Sequence, residues 1–224
     1  MISVTSYIED LRKPINWDLK AKKLAKEQGI DVESIKQEWK EEREKGLMKG
    51  KHLNELRYKD FEDSARYRYF EYKASEGKDP KWESSLYKVE EGWTYDEMPF
   101  MHPKGILIGI PDRVIIKDDK IHIEEYKADK KIYMTAFRSS NKFAPKRKLM
   151  HPLEHIDDCS YMRYALQASL YMHLVWINNK NLTPGTIVLK HRVYDDDLNE
   201  TERKDYSMHY MRNEVESLIN QLKE

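Results

Sequence analysis

Residues 106–127 read ILIGIPDRVIIKDDKIHIEEYK, and this stretch decides the fold. Two runs rich in isoleucine and valine, Ile106–Ile116 and Lys120–Lys127, lie on either side of the polar tetrapeptide KDDK. β-Branched runs that flank a short polar segment are typical of a β-hairpin. We therefore predict two antiparallel strands over these runs, joined by a turn at the tetrapeptide.

The length of the loop sets which residues lie opposite each other. A loop that is symmetric about the bond between Asp118 and Asp119 places Asp112 directly opposite Glu125. Lys127 lies two residues further along the same strand, so it shares a face with Glu125. A loop of odd length would shift the pairing by one residue and weaken this expectation.

The face that carries Asp112, Glu125 and Lys127 is otherwise apolar, and the opposite face is more polar. The apolar members are Ile110, Val114, Ile116, Ile121 and Ile123, and the polar ones are Arg113, His122, Glu124 and Tyr126. Opposed carboxylates repel each other, and their burial is costly unless a cation compensates the charge. A hard divalent cation with oxygen ligands is suited to this task.

Two simpler interpretations of the same residues stay open. The tripeptide E-x-K is common, so the acids and the lysine could be solvated on a surface hairpin. Glu125 and Lys127 could also form a plain ion pair with no metal between them. The matched strands and the apolar face favour the metal site over both alternatives.

The order Gly109-Ile110-Pro111-Asp112 followed by Glu125-Tyr126-Lys127 resembles the signature of the PD-(D/E)XK nucleases. The resemblance implies an α/β fold with a restriction-endonuclease-like core, in which a central mixed sheet is flanked by helices and preceded by a helical N-terminal arm. It also implies that Asp112 and Glu125 hold Mg²⁺ or Mn²⁺ at a scissile phosphate. Lys127 would then position or deprotonate the attacking water.

Two helical motifs extend the resemblance to the RecB-like branch of that family. In YALQASLY, which begins at Tyr164, Gln167 and Tyr171 are four residues apart and share a helix face. They match a Q-x-x-x-Y helix that is thought to flank the site and contact DNA. In GKHLNE, which begins at Gly50, His52 resembles the histidine that completes the metal shell. The simpler interpretations are a half-buried tyrosine with a solvated glutamine, and a surface histidine.

The resemblance covers about residues 2–176 and includes the opening SVTSYI, a charged helix and Trp39. This layout is similar to the mitochondrial genome maintenance exonucleases and their phage relatives, which implies an exonuclease on single-stranded DNA or DNA ends, in repair or recombination. The single Cys159 excludes the four-cysteine iron–sulfur cluster of other RecB-like branches. A structure-specific endonuclease or junction resolvase, and a nucleic-acid-binding module that does not cleave, remain as alternatives.

The chain is long enough for one well-buried core. We expect a helical N-terminal region at 1–75 that packs on a core at 76–224, as one continuous domain. The charged segment 18–74 is predicted to be helical, with an N-cap at Asp31 and a break near Gly46 and Gly50. The other expected elements are a loop at 76–80, strands at 86–89, 186–194 and 205–208, helices at 157–176 and 213–223, and a turn at Pro184–Gly185.

The net charge says nothing about partners, because 40 basic and 40 acidic residues cancel. The distribution of charge along the chain, however, indicates a nucleic-acid partner. The segment 127–148 holds eight cations and one acid, Asp129, with three aromatic residues between them. The cations are Lys127, Lys130, Lys131, Arg138, Lys142, Lys146, Arg147 and Lys148, and the aromatic residues are Tyr133, Phe137 and Phe143. Cations that follow phosphates and rings that stack on bases suit a single strand. The alternative is a solvated loop.

The sequence offers no apolar core for a signal peptide and no apolar window long enough for a membrane span. We therefore expect a cytoplasmic protein, or one in the host cytoplasm if it is viral, with no membrane partner.

Overall fold

The computed structural model describes residues 1–59, 67–69, 88–136 and 145–223. Within these residues the chain has an α/β fold, as predicted from the sequence. The helices are α1 (Val4–Asp10), α2 (Trp17–Gln28), α3 (Val32–Lys59), α4 (Ser160–Asn178) and α5 (Arg212–Gln221). The strands are β1 (Ile2–Ser3), β2 (Tyr67–Tyr69), β3 (Thr94–Asp96), β4 (Phe100–Met101), β5 (Leu107–Gly109), β6 (Arg113–Lys117), β7 (Lys120–Lys127), β8 (Thr183–Tyr194) and β9 (Glu200–Met208).

The strands form two sheets. The larger sheet has the order β2-β3-β6-β7-β8-β9, in which β2/β3 and β7/β8 are parallel and the other neighbours are antiparallel. The smaller sheet has the order β1-β5-β4. The predicted mixed sheet flanked by helices is therefore confirmed.

The hairpin of β6 and β7 has the predicted register. Val114 pairs with Ile123, and Lys117 pairs with Lys120. Asp118 and Asp119 both have positive φ, 54° and 55°, which is the backbone of a two-residue type I′ turn. The Glu91 carboxylate accepts hydrogen bonds from both of their backbone N–H groups, at 2.8 and 3.2 Å. These bonds stabilise a turn that usually contains glycine.

The predicted strand Ile106–Ile116 is wrong as a single element. It is broken at Ile110–Asp112, so that β5 belongs to the smaller sheet and β6 to the larger one. Pro111 explains the break, because proline has no N–H to donate to a sheet and restricts the residue before it. Asp112 therefore lies at the point where the chain passes between the sheets.

Helix α4 is the centre of the core. It contacts β7 and β8 of the larger sheet, β4 and β5 of the smaller sheet, and helices α1 and α5. Residues on nearly all sides of this helix are buried. Its apolar residues accordingly cover much more of the helix surface than a single stripe. Gly109 allows β5 and α4 to lie close together, because a Cβ at this position would lie 2.6 Å from Cδ1 of Tyr171.

The N-terminal helices differ in part from the prediction. Asp31 caps α3 as expected, with its Oδ1 accepting from Ser34 N at 2.9 Å. The predicted break at Gly46 and Gly50 is wrong, since α3 continues to Lys59 and neither glycine has a positive φ. Helices α2 and α3 bury a small apolar cluster of their own near the start of α3. The predicted helix to residue 74 is also wrong at 67–69, which is strand β2.

The C-terminal elements lie close to their predicted positions. Helix α4 begins at Ser160, and β9 begins at Glu200, five residues earlier than expected. The predicted turn at Pro184–Gly185 is wrong, because both residues belong to β8 at a shift in its register with β7. A Cβ on Gly185 would lie 2.7 Å from the carbonyl oxygen of Ile121, so glycine permits close contact there.

Some predictions cannot be compared with the structure. The loop at 76–80, the boundary between 75 and 76, and residues 86–87 of the predicted strand 86–89 lie outside the described residues, and Val89 is in irregular structure. Within the described ranges, none of the helices combines the length and apolarity that crossing a bilayer requires.

We expect Gly109→Ala to destabilise the protein by about 1–3 kcal/mol, because the added methyl group would overpack against Tyr171. Gly46→Ala is the matched control, since a Cβ there meets nothing within 4 Å. Alanine in an exposed helix should stabilise the protein by about 0.5–1 kcal/mol. Urea denaturation measures both free energies of unfolding, and equal effects of the two substitutions would contradict the proposed packing.

Candidate active site

The two predicted acidic residues lie side by side at the open end of the hairpin. Asp112 precedes the first paired residue of β6, and its backbone N–H donates to Oε1 of Glu125 at 3.0 Å. In return, Oδ2 of Asp112 accepts from the backbone N–H of Tyr126 at 2.8 Å. These two side-chain contacts thus take the place of main-chain hydrogen bonds at the end of the β6–β7 pairing. The predicted juxtaposition of Asp112 and Glu125 is confirmed.

Glu125 is the more enclosed of the two acids, with 3% of its surface exposed. Burial, together with the nearby Asp112 carboxylate, raises the pKa of Glu125 to about 7. Lys127 and the Asp112 N–H oppose this rise without cancelling it. Burial and the Asp112 carboxylate thus make the charged form of Glu125 costly, and an additional cation would lower that cost.

Lys127 faces Glu125 as predicted, with its Nζ 3.4 Å from Oε2. Burial lowers the pKa of Lys127, but Glu125 and Asp112 outweigh burial, and the net pKa is raised. The amine is therefore protonated near neutral pH. This favours Lys127 as a cation and hydrogen-bond donor over the predicted alternative in which it deprotonates water.

Arg57 near the end of α3 is a member of the site that sequence reasoning missed. Its Nη1 lies 2.8 Å from Oδ1 of Asp112, and its Nη2 pairs with Glu97. The guanidinium also lies over the ring of Tyr126, 5.3 Å from its centroid. Arg57 is buried, so its charge acts at short range on Asp112. Nothing in the charged sequence of α3 distinguishes it from the surface cations around it.

His52 does not join the two carboxylates, so the predicted three-ligand metal set is not assembled. Its ring packs edge-on against Tyr194 with centroids 5.2 Å apart. In the part of the chain that the structure describes, no three His, Cys, Asp or Glu residues form a group suited to a metal. The physical reason is the rotation of α3, which directs Arg57 rather than His52 to Asp112.

An open cleft of about 970 Å³ gives access to the site. It lies between α3, the end of β7 and the connection from β8 to β9. Asp112 and Lys127 line it, together with Asn54, Lys130 and Tyr194. Lys49 of α3 reaches across and pairs with Asp196 at 2.9 Å. Asp112 and Lys127 therefore face this open cleft.

The helix motif of Gln167 and Tyr171 lies on α4 beside the hairpin, as predicted. Nε2 of Gln167 donates to the Tyr171 hydroxyl at 2.9 Å and to Oγ1 of Thr5 at 3.2 Å. Tyr171, however, is only 4% exposed and packs against Gly109. The core therefore covers the Tyr171 ring in this structure, and the predicted contact of Gln167 and Tyr171 with DNA stays a prediction. Its position supports the chain that leads into Asp112.

A second group of residues missed by sequence reasoning fixes the chain after Lys127. The Tyr164 hydroxyl donates to the Asp129 carboxylate, and Nε2 of His191 donates to the Asp129 carbonyl oxygen at 2.6 Å. The Tyr164 ring lies 5.3 Å from Nζ of Lys127. These contacts hold the Lys127 side chain, at the end of β7, against α4. They join residues far apart in sequence, so no local spacing predicts them.

The predicted basic segment divides into two parts. Lys130 and Lys131 are exposed; Lys130 lines the cleft, and Lys131 lies over the exposed ring of Tyr133. Lys146 and Lys148 pair with Asp157 at 3.2 and 2.7 Å, and Arg147 pairs with Asp158 at 2.7 Å. The next segment thus supplies acids to the second part, and the predicted contact of these cations with nucleic acid stays a prediction. Arg138, Lys142, Phe137 and Phe143 lie outside the described residues.

Comparisons of this chain with protein-family models, with curated proteins and with solved structures gave no match. The chemistry of the residues at the cleft is therefore the basis for a functional assignment.

We expect Arg57→Gln to destabilise the protein by about 3–5 kcal/mol at neutral pH, because it leaves Asp112 without its buried cation. Asp112→Asn in the same chain should recover part of this loss, with a coupling free energy of about 0.5–3 kcal/mol. Urea denaturation of the two single variants and the double variant measures the coupling. Arg203→Gln is the control, since Arg203 is exposed and pairs with Glu200. Additive effects would show that the Arg57–Asp112 contact does not matter.

Proposed function

We propose that this chain is a metal-dependent deoxyribonuclease of the PD-(D/E)XK type, which hydrolyses phosphodiester bonds. The observation that carries the proposal is the arrangement of Asp112, Glu125 and Lys127. The two carboxylates exchange hydrogen bonds with each other's strand, and the lysine contacts Glu125 from two residues further on. A buried acid beside a half-buried one, next to an ammonium group at the edge of a groove, is suited to phosphoryl chemistry.

The fold is consistent with the same proposal. The antiparallel hairpin β6–β7 continues into β8 through α4, and β7 and β8 are parallel. This places α4 across the hairpin, with Gln167 and Tyr171 next to the strand that leads into Asp112. We infer a restriction-endonuclease-like core, with α2 and α3 as the helical N-terminal arm, of which α3 lines one side of the cleft.

The residues fit a magnesium or manganese ion held by Asp112 and Glu125. Mg²⁺ needs only one or two protein carboxylates when water and substrate phosphates supply its other oxygens. Burial, together with the neighbouring Asp112 carboxylate, raises the pKa of Glu125, and a bound cation would oppose both effects. The bound ion would lower the pKa of water and neutralise charge on the phosphoryl group. Arg57 and the ion compete for the same Asp112 carboxylate.

Each remaining residue has a role that follows from its contacts. The protonated Lys127 donates hydrogen bonds from Nζ, so it can orient the attacking water or stabilise negative charge on the phosphoryl oxygens. Tyr164 keeps Lys127 in place through its ring and, through Asp129, orders the chain that follows. Tyr171 and Gln167 act as positioning residues, because they support the segment between β5 and β6 from behind.

The groove favours a single strand or a frayed end as substrate. Lys130 on its wall can contact phosphates, and the 59% exposed ring of Tyr133 nearby can stack on a base. Exonuclease action on DNA, in a repair or recombination setting of phage or organelle type, follows from the resemblance to RecB-like exonucleases. A structure-specific endonuclease on the same core is the alternative that the substrate assay below distinguishes.

We expect end-labelled single-stranded DNA to be shortened in Mg²⁺ or Mn²⁺ and to stay intact with a chelator. Lys127→Ala and Asp112→Asn should each lower the rate by about 100-fold or more, because both remove groups that act on the developing charge. Lys120→Ala is the matched control, since Lys120 lies exposed at the hairpin turn on the same strand.

A covalently closed single-stranded circle gives the second readout of the same assay. An exonuclease leaves the circle intact, and cleavage of the circle would replace our proposal with an endonuclease. Binding of either substrate without cleavage in both metals would contradict catalysis and favour the binding module.

A further inference from the structure

Three arginines from separate parts of the chain surround the carboxylate of Asp158. The Nε atoms of Arg147, Arg163 and Arg12 lie 2.7, 3.5 and 3.8 Å from its oxygens. The Asp158 side chain is only 2% exposed, whereas the three arginine side chains are each 21–26% exposed. The acid is therefore enclosed beneath the guanidinium groups, and the arginines reach solvent.

Backbone contacts hold these three segments together. The N–H of Met150 donates to the carbonyl oxygen of Leu11, at the end of α1, at 2.8 Å. The N–H of Asp158 donates to the carbonyl oxygen of Arg147 at 2.9 Å. Arg163 lies in the first turn of α4, and this helix begins directly after Asp158 and Cys159. The arginines are thus placed by well-connected backbone, which lowers the entropy that a ligand would have to remove.

The cluster has more positive than negative charge. Glu9 is a second acid in contact with it, 2.5 Å from Arg12 and 3.8 Å from Arg163. Three guanidinium groups therefore face two carboxylates. Each guanidinium has five N–H donors in a planar fork. The contacts with Asp158, Glu9 and two backbone carbonyl oxygens do not use all of them, so donors remain for an anion. Like charges repel at this spacing, and a buried acid beneath them is a means of keeping them together.

The arginine cluster and the candidate active site both include residues of α4. Arg163 is followed by Tyr164, whose hydroxyl bonds Asp129 and whose ring contacts Lys127. Gln167, one turn further along α4, reaches Thr5 of α1. A chain of contacts along the junction of α1 and α4 thus connects the arginines with the catalytic candidates.

We propose that Arg12, Arg147 and Arg163 form a phosphate-binding platform for the nucleic-acid strand, at a distance from the scissile bond. That the ligand is a nucleic-acid strand rests on the proposed function. The geometry of the three arginines is independent of that function. The phosphate can be internal to the strand or a terminal phosphate, because both present the oxygens that guanidinium forks recognise. Asp158 positions the arginines and does not touch the ligand.

The test is fluorescence anisotropy of a short oligothymidylate that carries a 3′ label and either a 5′ phosphate or a 5′ hydroxyl. It is performed in chelator, so that binding is measured without cleavage. Arg12→Gln and the double variant Arg147→Gln/Arg163→Gln should raise Kd by at least about fivefold, because phosphate contacts are lost. The slope of log Kd against log salt should fall by about one for each lost contact. Arg203→Gln should leave both quantities unchanged.

Melting temperatures separate binding from a purely structural role. Arg12 makes the longest of the three contacts with Asp158, so Arg12→Gln remains informative if the double variant does not fold. Unchanged Kd and slope in a folded Arg12→Gln variant would overturn the proposal, as would a wild-type chain that does not bind the oligonucleotide. A loss confined to the 5′-phosphorylated strand assigns a terminal phosphate, and an equal loss on both strands assigns internal phosphates.

The outcome is independent of the cleavage assay. If the protein cuts no DNA but the arginine variants bind it more weakly, the phosphate platform is supported and the nuclease proposal is rejected. If the protein cuts DNA with a metal and the arginine variants bind as tightly as wild type, the nuclease proposal is supported and the platform is rejected.

Discussion

Repulsion between the carboxylates of Asp112 and Glu125 is the constraint on which the site depends. Each side chain accepts a hydrogen bond from the backbone of the opposite strand, so neither can move away without leaving a partly buried N–H unpaired. The two-residue turn at Asp118 and Asp119 fixes the register that brings them together. The fold thus holds two like charges close, in surroundings that raise the pKa of Glu125.

Two cations from different elements each compensate part of this charge. Helix α3 contributes Arg57 to Asp112, and β7 itself contributes Lys127 to Glu125. Helix α4 closes the site from behind through Tyr164 and Tyr171. Because Arg57 already pairs with Asp112, binding of a divalent ion must displace this contact or share the carboxylate. Arg57 would then weaken metal affinity and stabilise the metal-free protein.

The parts predicted correctly from sequence depend on local information. Alternation of apolar residues and a short turn determine that Asp112 and Glu125 meet, and no distant residue is needed for this. The spacing of Gln167 and Tyr171 likewise places them on one face of α4. Tyr171 is nevertheless buried, because its partner Gly109 lies far away in sequence and admits the ring to the core.

The differences between prediction and structure concern features that long-range packing decides. The rotation of α3 selects Arg57 over His52, and the acids that neutralise Lys146–Lys148 come from the following segment. Pro184 and Gly185 have strong turn propensity, yet they lie in a strand because the neighbouring β7 accommodates an irregular register. Propensity and spacing are weak where tertiary contacts differ by only a few side chains.

A crystal soaked in manganese provides the most direct measurement of whether the acid pair binds metal. We predict an anomalous difference peak within coordination distance of Asp112 and Glu125 oxygens, with the Arg57 guanidinium moved from Oδ1 of Asp112. An intact Arg57–Asp112 pair, with no anomalous density between the two carboxylates, would contradict the proposal.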